Sequence, residues 1–116
     1  MSQYNGPERR QRKRVDASFV VSYRVKEGPK DFDLSNTKNV SQAGMLLTTN
    51  KAFTQGTYLA MLIRFPLVPQ KIKVTGEVVN SKEIIKNLIY ETRIKFLNLD
   101  EDFFIKLGEF IKENLK

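Results

Sequence analysis

Apolar and polar positions alternate with a period of two along most of this chain. In DASFVVSYRV, residues 16–25, Ala17, Phe19, Val21, Tyr23 and Val25 fall on one face, with Ser18, Ser22 and Arg24 on the other. That is the pattern of a half-buried β-strand, and EGPK at residues 27–30 ends it. A second strand is predicted from Asp31 to Val40, with Phe32 and Leu34 in phase and a polar middle, SNTKN. SQAG, residues 41–44, reads as a turn and MLLTT as a third strand. Gln55 and Gly56 open a fourth, TYLAMLIRF, in which Leu59, Met61, Ile63 and Phe65 share a face. Two further alternations follow. Ile72, Val74, Gly76 and Val78 are separated by Lys73, Thr75 and Glu77; Leu88, Tyr90, Thr92, Ile94 and Phe96 are separated by residues that include Glu91, Arg93 and Lys95.

From Asp100 the period lengthens. Phe104, Leu107, Ile111 and Leu115 lie at helical spacing, and Asp100 is placed to cap the first turn. Glu101 and Asp102 stand at its positive end, Lys112 and Lys116 at its negative end. A helix this short is marginal alone in water, so its apolar face must pack on the sheet or on a second subunit, leaving monomer and homodimer both open. Six strands on short turns predict an all-β fold, an antiparallel sheet closed into a barrel or folded into a sandwich, followed by a C-terminal amphipathic α-helix.

A chain of 116 residues supports one modest core. The expected division is a basic N-terminal segment over 1–14, a barrel over 15–98 and the helix over 99–116. The net charge of +7 is unevenly placed, because residues 7–15 hold five cations and one acid; an anionic partner is expected. There is no cysteine and no histidine, which removes disulfides, thiolate chemistry, imidazole metal ligands and the usual general base. Carboxylates such as Asp31 and Asp33 lack a nucleophile–base pair or metal cluster beside them, so the chain reads as a binding protein and not an enzyme. No apolar run approaches the roughly 20 residues that span a bilayer, and the basic N-terminus lacks the apolar stretch of a signal peptide. A soluble, cytoplasmic protein is expected.

Two elements carry candidate chemistry. Arg10 and Arg14 are spaced Arg-x-x-x-Arg directly before the first strand, and a guanidinium offers a planar fork of donors suited to phosphate oxygens and the O6/N7 edge of guanine. Asn39, Ser41 and Gly44 form Asn-x-Ser-x-x-Gly across the turn between the second and third strands. Asn and Ser two positions apart share a face of an extended segment, and Gly permits a positive φ or a close backbone approach. Each element alone fits a blander reading, a solvated basic tail and an ordinary hairpin turn.

Together, in this order, the two elements resemble the PilZ family of cyclic di-GMP receptors, in which Arg-x-x-x-Arg precedes the first barrel strand and Asp/Asn-x-Ser-x-x-Gly follows some tens of residues later. The resemblance spans nearly the whole chain and implies a six-stranded antiparallel PilZ-like β-barrel. It implies that Arg10 and Arg14 contact ligand phosphates and guanine edges, that Asn39 and Ser41 hydrogen-bond a guanine or phosphate from the barrel surface, and that Gly44 lets the backbone come close. The ligand would be cyclic di-GMP, with no other cofactor and no metal, and an unidentified downstream protein would read a rearranged N-terminal segment. One departure lies in YETRIKF, where Thr92 or Arg93 occupies a region in which the family commonly has glycine. Arg9 adds a cation beside Arg10: either the site takes an intercalated ligand dimer, or Arg9 and Arg12 raise the local potential and on-rate. The rival readings are a basic barrel for single-stranded nucleic acid, disfavoured because the phenylalanines fall on apolar faces and not among exposed cations, and a PilZ-like adaptor without ligand.

Overall fold

The computed structural model describes residues 14–65 and 71–114. Its elements are β1 (Val15–Asp16), β2 (Val20–Val25), β3 (Asp33–Val40), β4 (Gly44–Thr49), β5 (Tyr58–Arg64), β6 (Ile72–Ile85), β7 (Ile89–Leu97) and α1 (Glu101–Asn114). Pairing runs β3–β2–β5–β6–β7–β4, and β4 returns to β3, so six antiparallel strands close into a barrel. The short β1 lies outside this ring, paired with the far end of β3. Closure leaves the six barrel strands without a free edge.

The period-two pattern is realised most fully in β5 and the residue after it: Leu59, Met61, Ile63 and Phe65 are all at most 2% exposed. They meet Val21 and Tyr23 of β2, Met45 and Leu47 of β4, Val74 and Val78 of β6, and Ile94 of β7 in one core. Asp100 caps α1 as its position predicts, its Oδ2 accepting from the Phe103 N–H at 3.2 Å. The helix docks on its own barrel, burying Phe103, Leu107 and Ile111 in the same core. Edge-to-face contacts join Phe65 to Phe19, Phe103 and Phe110 at centroid distances of 5.2–5.3 Å, a geometry worth about 0.5–1.5 kcal/mol per pair beyond area burial.

Four details differ from the sequence expectation. The first predicted strand is divided, because β1 and β2 pair with different parts of β3. Thr37 secures the break: its Oγ1 accepts from the Phe19 N–H at 2.9 Å and donates to the Ala17 carbonyl at 2.7 Å. Phe32, in the loop before β3, and Leu34 of β3 are not core residues but 44% and 71% exposed, since the inward positions of the strand belong to Ser35 and Thr37. The sixth element, β6, continues to Ile85, with register shifts after Val78 and Glu83 that end its clean alternation. On α1 the most buried phenylalanine is Phe103 rather than Phe104, while Leu115 lies outside the described residues.

Thr92 turns inward and is fully buried. Its hydroxyl lies 2.9 Å from Thr49 Oγ1 and 2.7 Å from Ser81 Oγ. Thr49 donates to the Lys51 carbonyl and Ser81 accepts from the Phe53 N–H. Because each hydroxyl has one proton, the chain of bonds runs from Ser81 through Thr92 and Thr49 to that carbonyl. Thr92, one of the two residues in the region that departs from the family glycine, is thus satisfied inside the barrel.

Candidate ligand site

The site begins where β1 meets β3. Val15 is buried and pairs with Val40, and Asp16 pairs with Asn39; alternation then turns Arg14 outward. A register shift in β3 aims Asn39. Thr37 pairs with Leu47 and Asn39 with Leu46, so Lys38 is the extra residue of a β-bulge. Before the bulge Thr37 points inward; after it Val40 points inward and Asn39 outward. Bulges commonly re-aim a side chain in this way beside functional sites. The outcome is a direct contact: Arg14 Nη1 donates to Asn39 Oδ1 at 2.7 Å. The second arginine of Arg-x-x-x-Arg thereby touches the first residue of Asn-x-Ser-x-x-Gly, 25 positions away.

A third group completes the row. Asn39 pairs with Leu46, and Leu46 with Arg93 of β7, so the three side chains share the outer surface. Partial desolvation, and after it the positive charge of Arg93, lower the Arg14 guanidinium from its ordinary value, though it remains a cation at neutral pH. The described ion pairs join Lys38 to Glu91 at 3.1 Å and Lys95 to Glu77 at 3.6 Å; neither engages Arg14 or Arg93. The Arg14 guanidinium meets a neutral amide oxygen with the Arg93 cation nearby, and among the described residues no carboxylate pairs with either. Sequence reading did not select Arg93. Its alternation marked it as outward, but the register that aligns it with Asn39 was not legible.

The other half of the motif faces inward. Ser41 is 1% exposed, and its Oγ accepts from the N–H groups of Ala43 at 3.0 Å and Gly44 at 3.2 Å. Its own N–H donates to the Gly44 carbonyl at 2.8 Å. Expected on the ligand-facing surface with Asn39, Ser41 instead shapes the turn behind it, because β3 ends at Val40 and the turn breaks the alternation there. Gly44 answers a close approach within the barrel: a Cβ there would stand 2.0 Å from the Ile94 carbonyl oxygen. Between them, Gln42 Nε2 donates to the Phe104 carbonyl of α1 at 2.9 Å. Gly108 leaves room for that side chain, since a Cβ would lie 2.4 Å from Gln42 Nε2. Arg9 and Arg10 lie outside the described residues.

Comparison with known proteins identifies the family. The model of the PilZ domain family matches residues 8–113, and the chain belongs to that family. Among solved structures it is similar to the Bacillus subtilis inhibitor of motility MotI/DgrA, with 18% identity and a TM-score of 0.74 over 91% of this chain and 51% of that one. It is similar to the PilZ domain of YcgR from Escherichia coli, solved with c-di-GMP, with 14% identity and a TM-score of 0.65 over 92% of both chains. A third likeness is to the K. pneumonia MrkH–c-di-GMP complex, with 17% identity and a TM-score of 0.68 over 91% of this chain and 52% of that one. The chain therefore spans about half the length of the MotI and MrkH chains. No curated protein matches it. No helix among the described residues is long and apolar enough to cross a membrane, and these residues hold no group of three or more acidic side chains placed for a metal ion.

Proposed function

We propose that this protein is a cytoplasmic receptor for cyclic di-GMP that acts by binding and not by catalysis. The observation that carries the reading is the 2.7 Å contact between Arg14 and Asn39, which unites two motifs that are weak evidence apart. Family membership over residues 8–113 supports it, as do solved PilZ relatives that hold c-di-GMP.

In this reading Arg10 and Arg14 grip phosphate oxygens and guanine edges with paired N–H donors, which are stronger when charge-assisted. Asn39 fixes Arg14 and offers its amide to the base. Arg93 adds a cation from the barrel wall, while Ser41 and Gly44 hold the turn that presents Asn39. Closure of the Arg9–Arg14 segment around the ligand is the output, set by the ligand's preference for the closed form and read by a downstream protein.

Isothermal titration with cyclic di-GMP tests the proposal, with cyclic di-AMP and a short DNA strand as controls. Guanine-selective binding is expected, and two ligands per chain would assign Arg9 to an intercalated pair. Heat with DNA alone, falling steeply with salt, would replace the receptor by a polyanion-binding barrel.

A further inference from the structure

The ligand site occupies the β3–β4–β7 side of the barrel. In the closed order β3–β2–β5–β6–β7–β4, the opposite wall is β2–β5–β6, and it carries a cleft of about 730 Å³. Its floor is a row of outward residues in register: Arg24 opposite Ala60, Ala60 opposite Thr75, and Thr75 opposite Leu97. Leu62 and Lys73 form the neighbouring row. Small side chains at the centre make the wall concave, and the β2–β3 loop adds Lys26, Lys30 and Phe32 to the rim.

Charge and shape here are specific. Among the described residues the lining includes Arg24, Lys26, Lys30 and Lys73 and no carboxylate, and none of the four is in either described ion pair. Arg24 is held in place, its Nη1 donating to the carbonyls of Val25 at 3.3 Å and Lys26 at 3.1 Å. Its guanidinium lies over the Phe32 ring, 5.5 Å from the centroid. A fixed cation costs less to engage than a mobile one. The floor between the cations is mainly aliphatic, with Ala60, Leu62 and Leu97 around Thr75.

We propose that this cleft is a docking surface for an acidic segment of a partner protein, one that seats an aliphatic side chain on the Ala60–Leu62–Leu97 floor and sets carboxylates against Arg24, Lys30 and Lys73. Single-stranded nucleic acid fits less well. It needs successive aromatic platforms for its bases, whereas the one aromatic ring of this cleft already has a guanidinium on its face. The binding chemistry of the cleft is independent of the receptor reading; only its use as an output face rests on that reading.

The test is an NMR titration of the full, isotope-labelled chain with a nonapeptide of aspartate and glutamate carrying two leucines. A leucine-free peptide of equal charge and a ten-nucleotide thymidine strand are the comparison probes. Saturable shifts at Ala60, Leu62, Lys73 and Leu97 are expected for the leucine peptide, with a Kd of about 1 mM or tighter. The two comparison probes should bind at least several-fold more weakly. Lys30→Glu with Lys73→Glu, both exposed positions, should weaken the peptide at least tenfold while the amide spectrum stays folded. Absence of shifts in the cleft, or equal binding of the leucine-free peptide, overturns the proposal. Tighter binding of the thymidine strand at the same residues would replace it with a nucleic-acid surface. Cyclic di-GMP is titrated separately, so failure at one face leaves the other measured.

Discussion

Asn39 and Ser41 stand two residues apart in one motif and belong to different regions of the molecule. Asn39 is on the outer wall, fastened to Arg14 at 2.7 Å; Ser41 is 1% exposed and closed on its own turn. Around Asn39 the guanidiniums of Arg14 and Arg93 have more donors than the described residues accept. Around Ser41 and Gly44 the bonds and contacts close internally. The motif thus combines an outward residue, the proposed ligand contact, with residues that build the surface carrying it, and the two groups should separate when stability and affinity are measured side by side.

The largest effect is expected at the structural half. Gly44→Ala would press a methyl against the Ile94 carbonyl at 2.0 Å, where backbone has to move. Overpacking of this kind costs about 3 kcal/mol or more, read as a lower denaturation midpoint, with ligand affinity lost along with the fold. A midpoint near wild type would show that the β4–β7 approach is easily relaxed.

Next come the arginines. Arg10→Ala and Arg14→Ala should each weaken cyclic di-GMP by ten- to a hundredfold, from a charge-assisted contact of about 1.5–3 kcal/mol, with the melting temperature nearly unchanged. Calorimetry on both variants checks this, and unaltered affinity in both would remove the site assignment. Ser41→Ala should show the reverse balance. It leaves the N–H groups of Ala43 and Gly44 without their acceptor, a loss of about 1–2 kcal/mol in unfolding free energy, and the folded fraction should bind with less change than Arg14→Ala. The smallest effect is expected for Arg93→Ala: a severalfold loss of affinity, steeper at low salt, and no loss of stability, because it removes a like charge from beside Arg14.

How much of this was legible in the sequence depends on what each feature requires. Leu59, Met61, Ile63 and Phe65 announce an inward face because period two needs no knowledge of neighbouring strands, and all four are buried. The helix and its Asp100 cap follow from local chemistry and are where they were expected. The β3 bulge was hidden, since SNTKN offers no apolar residue whose change of phase would reveal an extra position, and the outward placement of Phe32 and Leu34 was hidden for the same reason. The site residues were legible as types at a spacing. Their division into inward Ser41 and Gly44 and outward Asn39, and the arrival of Arg93 beside them, depend on register across β3, β4 and β7, which only the closed barrel supplies.

The two-residue strand β1 carries a consequence for affinity. It is secured to the barrel by one buried side chain, Val15, and complete burial of a valine is worth about 1.5–3 kcal/mol at most. That side chain acts together with the β1–β3 pairing and the Arg14–Asn39 bond to keep Arg14 in place, so a smaller residue at position 15 raises the fraction of molecules with Arg14 withdrawn. A ligand that needs Arg14 in place draws on the remaining fraction, so the apparent dissociation constant is the intrinsic one divided by that fraction. In the proposed receptor, sensitivity to the ligand can therefore be set at position 15, by a residue that need never meet it.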